Sequence, residues 1–230
     1  MKEHIYTIPI TDALNEECGC VLCTIEKKLE SEAITYFLGA SLMEPDARED
    51  TNKNGFCRPH TKMLYSGGNS LGLSLILETH IKEFSKNFNL NEKTGLFKKT
   101  DTKEAAKNIE ASVKSCSVCN KLSLQMEAVA RNLIYLISKE KDFKEKFFDK
   151  GALCAEHAAL VLSLCEKELG AKKGTDLYNE ICTMQKTYLE ELYNNLHAFV
   201  ISFDYRSKNE TPTEKVKASL GDAVKYISKY

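Results

Sequence analysis

The chain has 230 residues, room for one or two domains. Its 32 basic and 33 acidic side chains nearly cancel, which argues against a polybasic nucleic-acid or membrane-surface binder. Gly and Pro together number 15, about half the average share of roughly 12%, and residues 96–150 contain neither, so the composition is that of a helical protein.

In chain order, the amino terminus lacks an apolar run of the secretory kind. Cys20-Val-Leu-Cys23 then leads into a helix with Leu22, Ile25, Leu29, Ala33, Phe37 and Ala40 on one face. Cys57-Arg-Pro-His60 opens a shorter helix through Leu64, which Gly67-Gly68 ends. A third helix carries Leu73, Leu77, Ile81, Phe84 and Phe88. The polar, aperiodic residues 89–103 read as a linker. Beyond it, Cys116-Ser-Val-Cys119 leads into a helix with Leu122, Met126, Val129, Leu133 and Leu136. Cys154-Ala-Glu-His157 opens a helix with Val161, Cys165 and Leu169, ended by Gly170 with Gly174. The next helix runs from Leu177 through Ile181, Met184, Tyr188, Leu192, Leu196 and Phe199 to Phe203. Residues 206–213 are a second polar break. A terminal helix from about Glu214 aligns Val216, Leu220, Val224 and Ile227.

The cysteines reveal a repeat. The second and third Cys are 34 residues apart in the first copy and 35 in the second, with a Gly shortly before the third Cys in both. The expected fold is therefore all-α, two pseudo-repeats of about three helices plus a terminal helix. The copies span 1–100 and 101–230 and pack as one unit.

Each copy supplies three sulfurs and one imidazole, the donor count of a closed tetrahedral zinc site. Spacing of i, i+3 puts both members of a motif on one helix face. The candidate ligands are Cys20, Cys23, Cys57 and His60 in one repeat, and Cys116, Cys119, Cys154 and His157 in the other. Two zinc ions are expected, one per repeat; exchange of partners between repeats is the other arrangement, and an iron–sulfur cluster the other cofactor. Thiol–disulfide chemistry is disfavoured because no strand precedes either Cys-x-x-Cys, and covalent haem is excluded because Thr24 and Asn120 stand where haem attachment needs His. Cys18 is a spare ligand candidate. Cys165 and Cys182 read as core, and His4, His80 and His197 as ordinary structural or surface residues.

These motifs, with Gly-Phe-Cys57-x-x-His60 and a Phe203-Asp-Tyr-Arg206 element before the tail, resemble a bacterial family known as domain of unknown function 6062. The resemblance covers most of the chain. It implies a helical, cytosolic, metal-binding protein and brings no activity.

Catalytic motifs are weak. Gly68-Asn-Ser70-Leu-Gly72 fits the nucleophile-elbow pattern, but a helix precedes it where the elbow needs a strand. A helix–helix loop capped by Asn69 or Ser70 is the simpler account. Glu156, beside His157, serves as a base only at an open metal, and four protein ligands close the site. Six Lys and Arg in the tail against three acids are a slight nucleic-acid cue, read instead as a solvated face. The longest charge-free run, residues 63–77, is too short and polar to span a bilayer. No catalytic residue is expected. The leading reading is a cytoplasmic, zinc-stabilised interaction or regulatory module with a protein or small-molecule partner. The others are an iron–sulfur or thiol redox protein and a metalloenzyme.

Overall fold

A computed structural model describes residues 7–16, 19–88, 102–150, 153–204 and 212–228. Among them the chain is all-α: α1 (Ile8–Asn15), α2 (Val21–Leu38), α3 (Pro45–Asn54), α4 (Arg58–Ser66), α5 (Ser70–Phe84), α6 (Thr102–Lys114), α7 (Ser117–Lys139), α8 (Lys141–Lys150), α9 (Ala155–Leu169), α10 (Ala171–Ile201) and α11 (Glu214–Ser228). Short 3₁₀ turns occupy Ala40–Met43 and Ser85–Phe88. His4, Cys18, Gly151, most of the expected 89–103 linker and most of the 206–213 break lie outside the described residues.

The chain divides into two compact units, Met1–Lys27 with Met126–Tyr230, and Lys28–Gln125. The cuts fall inside α2 and α7. The expected division into 1–100 and 101–230 does not coincide with these units, because each unit takes the end of one long helix and the start of the other.

In the unit of residues 28–125, Ala33, Ile34, Phe37 and Leu38 pack with Leu64, Leu73, Cys116, Val118 and Leu122. The Phe56 ring meets Phe37 edge-on at 5.6 Å. Two bonds fix the approach to Cys116: Ser115 Oγ donates to Asn54 O at 2.7 Å, and Ser117 N–H to Gly55 O at 3.0 Å. Gly55 has φ 57°, and a Cβ there would come within 2.5 Å of the His80 ring, so the turn requires glycine. Asn69 caps α5, accepting from Gly72 N–H at 2.8 Å, while its amide donates to Leu38 O at 2.7 Å. The Gly-x-Ser-x-Gly segment is thus the helix–helix loop expected of it.

In the other unit, α1, the start of α2, the end of α7 and α8 to α10 bury Ile10, Leu14, Leu22, Leu133, Phe147, Val161 and Ile181. Gly174 is not a terminator. It lies within α10, where a Cβ would sit 2.5 Å from Glu166 Cα, so its missing side chain lets α10 close on α9. Cys165 is fully buried and Cys182 half-buried.

Four helices carry no expectation from the sequence: α1, α3, α6 and α8. Among them, α3 buries only Thr51 and so has no apolar stripe to read. The expected inner face of α11 is corrected too. Leu220, Val224 and Ile227 are 53%, 50% and 77% exposed, whereas Ser219 is 1% exposed. Ser219 is the buried residue of this helix, and its Tyr226 ring approaches Tyr188 of α10 at 5.7 Å.

Candidate metal centres

All four motifs share one local build. The first member stands immediately before a helix and the second is its third residue: Cys20 and Cys23 at α2, Cys57 and His60 at α4, Cys116 and Cys119 at α7, Cys154 and His157 at α9. Cys57 and Cys154 have nearly identical extended backbones, φ −70°, ψ 165° and φ −65°, ψ 164°. Their sulfurs lie beside the free N–H groups and positive end of a helix, where a thiolate is favoured.

The motifs meet in two groups, Cys20, Cys23, Cys154 and His157 in the first unit and Cys57, His60, Cys116 and Cys119 in the second. Within each group the donor atoms all lie within 4.8 Å of one another. This corrects the expected pairing: all eight ligand candidates fall within the two groups, but each Cys-x-x-Cys faces the Cys-x-x-His of the other copy. The physical reason is the partition of the chain. Residues 20–23 fold with 126–230, while 57–60 fold with 116–119.

In the first group, Nδ1 of His157 lies 3.5 Å from Cys20 Sγ, 3.4 Å from Cys23 Sγ and 3.2 Å from Cys154 Sγ. Cys23 and Cys154 sulfurs are 3.6 Å apart. In the second, Nδ1 of His60 lies 3.1 Å from Cys57 Sγ and 3.3 Å from both Cys116 Sγ and Cys119 Sγ. Cys57 and Cys119 sulfurs are 3.8 Å apart. A tetrahedron with Zn–S of ~2.3 Å and Zn–N of ~2.0–2.1 Å has edges of about 3.8 Å between sulfurs and about 3.6 Å between sulfur and nitrogen. The sulfur pairs fit within 0.2 Å or so, and are far beyond the ~2.05 Å of a disulfide.

Residues 1–230 match the family described as "Family of unknown function (DUF6062)". The chain belongs to it. The "Uncharacterized 23.9 kDa protein in xynA 3'region" of Caldicellulosiruptor sp. (strain Rt8B.4) is 23% identical over 192 residues, 84% of this chain and 86% of that protein. No solved structure matches the chain significantly.

The electrostatics of this family member show what such crowding costs. Hydrogen bonds from Cys20 and Cys23 hold the Cys154 thiol far below its ordinary range, whereas its bond to Cys154 drives Cys23 far up. Burial pushes Cys116 up, but bonds from His60 and the Cys119 N–H outweigh it and hold the thiol down at about 6. Burial raises Cys119 and Cys57. Burial opposes the charge on His157, yet its bonds to Cys154 and Cys20 lift it to about 9. Left to one another, the groups of each set ionise unequally. Three thiolates together need a cation, and taking one up expels protons.

Beyond the sulfurs, the other nitrogen of each imidazole meets a carboxylate from α2: His60 Nε2 lies 2.9 Å from Glu30 Oε1, and His157 Nε2 lies 3.5 Å from Glu26 Oε2. The sequence reading missed both residues. Their only signal was spacing, three and seven residues after Cys23. Glu156, the candidate base, is exposed. His80 accepts a structural role through Asn52 O at 2.9 Å, and His197 stacks on Tyr193 at the surface.

Proposed function

We propose that the protein is a cytoplasmic, non-enzymatic helical module that holds two structural zinc ions and acts by binding a protein or small-molecule partner. The observation carrying this reading is the placement of one imidazole nitrogen at 3.1–3.5 Å from three sulfurs, twice over. Three soft sulfurs with one nitrogen in a tetrahedron suit zinc. Donor atoms gathered within 4.8 Å suit a single ion, whereas the thiolates of an iron–sulfur cluster ligate different irons and stand further apart. Zinc would serve as a cross-link between distant chain segments. With four protein donors per site, no coordination position is left for a reacting water.

The unpaired state of the described cysteines fits a reducing compartment. Among the described residues no helix is long and apolar enough to cross a membrane. The described tail lysines, Lys215, Lys217 and Lys225, sit beside Glu191, Glu214 and Asp222, which speaks against a nucleic-acid role. The shared build of the motifs supports two sequence repeats whose ligand pairs are exchanged. Metal analysis of the purified chain tests the reading. Two zinc per chain, with a colourless protein, is the expected result; bound iron with absorbance near 400 nm, or no metal, overturns it.

A further inference from the structure

A neutral imidazole has a single N–H, and the acceptor of that N–H decides which nitrogen is left to bind a metal. Both histidines turn Nδ1 to their three sulfurs and Nε2 to a glutamate. We propose that Glu30 and Glu26 are positioning residues that hold His60 and His157 as Nδ1 ligands, one carboxylate for each centre.

The proposal rests on the metal reading and deepens it. Its strength is that a carboxylate faces Nε2 in both groups, as a hydrogen bond at 2.9 Å for Glu30 and an ion-pair contact at 3.5 Å for Glu26, while the sequence around it differs. Both glutamates come from α2, at three and seven residues past Cys23. The same positions past Cys119 on α7 are Leu122 and Met126, both buried in apolar surroundings. A helix following Cys-x-x-Cys therefore has no general need of acids at these places. At these two positions the carboxylates occur only on α2, the helix whose side chains face the Nε2 atoms of the two imidazoles. The Glu30 side chain is about two-thirds covered and that of Glu26 more so, against His60 and His157 side chains that are almost fully buried. This is a place where a carboxylate is costly unless it is matched to a donor.

Glu30 accepts the Nε2 proton of His60, and Glu26, 3.5 Å from Nε2 of His157, attracts that proton by charge; either way the ring plane is held and Nδ1 becomes a stronger donor toward the cation. Glutamine keeps an acceptor oxygen and loses the charge; alanine loses both. The test is zinc competition against a chromogenic chelator on the full chain for Glu30→Gln, Glu30→Ala, Glu26→Gln and Glu26→Ala. Helix content and the ¹⁵N-resolved histidine tautomers are followed in parallel.

The expected result is a graded loss at one of the two sites in each variant, several-fold for Gln and on the order of 10–100-fold for Ala. The parent shows Nε2-protonated rings, and helix content holds in the Gln variants. Gln and Ala variants that bind both ions at parent affinity overturn the proposal. So do parent histidines protonated at Nδ1 in the zinc-loaded protein. A parent chain that takes up no zinc overturns the metal reading instead, so the two failures are distinct. The Gln variants, close in shape to the parent, keep the test decisive where an Ala variant does not fold.

Discussion

Cys20, Cys154 and His157 are buried and only Cys23 is half-covered, whereas the other set leaves Cys119 exposed and Cys57 half-covered around buried Cys116 and His60. The donor set, helix-end placement and ring orientation are the same in both. What differs is access by water and reagents. The first set also ties segments 131 residues apart, and the second segments 62 apart. By loop-closure entropy that difference is worth only about 0.7 kcal/mol. Burial, more than loop length, separates the two: the same donor set is sealed in one unit and addressable in the other.

The sharpest way to break this comparison is to remove one thiolate from each set. Structural zinc contributes on the order of 10 kcal/mol, against a domain stability of about 5–15 kcal/mol. Cys154→Ser should abolish cooperative melting of its own unit, while Cys119→Ser should lower the melting temperature less, since water replaces an exposed sulfur readily. Equal losses in paired thermal melts would erase the distinction. Next in size is metal removal. A chelator at neutral pH should take two ions in two resolved phases, the first lost from the Cys57–His60–Cys116–Cys119 set, with order assigned by the Ser variants. One shared phase would contradict it. Acidification should act the same way, because thiolates must regain their protons as the ion leaves, so affinity falls as pH falls.

Smaller is the effect of Gly174→Ala, about 1–3 kcal/mol of destabilisation from overpacking α10 on the α9 backbone. It should lower the stability of the first unit in denaturant titrations and leave the faster chelation phase unchanged. The finest probe is limited alkylation of the zinc-loaded chain, followed by mass mapping. Among the eight ligand candidates Cys119 should be labelled first, and labelling of Cys154 at the same rate would refute unequal access.

The long amphipathic helices and the identity of all eight donor candidates were legible in the sequence, because apolar periodicity and i, i+3 spacing are local signals. The partnership of the donors was not. A Cys-x-x-Cys motif is the same motif whichever Cys-x-x-His it faces, and the choice is made by which distant segments share a core. Helix α3 escaped because a surface helix that buries only Thr51 leaves no stripe, and α6 because it begins inside what reads as linker. The error at α11 has a different origin: Leu220, Val224 and Ile227 do align, but Ser219 is the residue buried instead. Glu26 and Glu30 looked like ordinary solvent-facing charges on an amphipathic helix.

The nested order of the ligand pairs sets a timetable for biogenesis. The inner pair is complete once Cys119 has left the ribosome, 62 residues after Cys57, an interval of about 3–12 s at ~5–20 residues per second. The outer pair opens with Cys20 and Cys23 and waits for Cys154, 131 residues after Cys23, about 7–26 s at the same pace. Throughout that wait the amino-terminal thiols are newly made, open to solvent, and have Cys57 and His60 as their earliest-emerging partners. The pairing suggested by the sequence alone is thus the trap into which a nascent chain can fall, and prompt closure of the inner centre removes the bait.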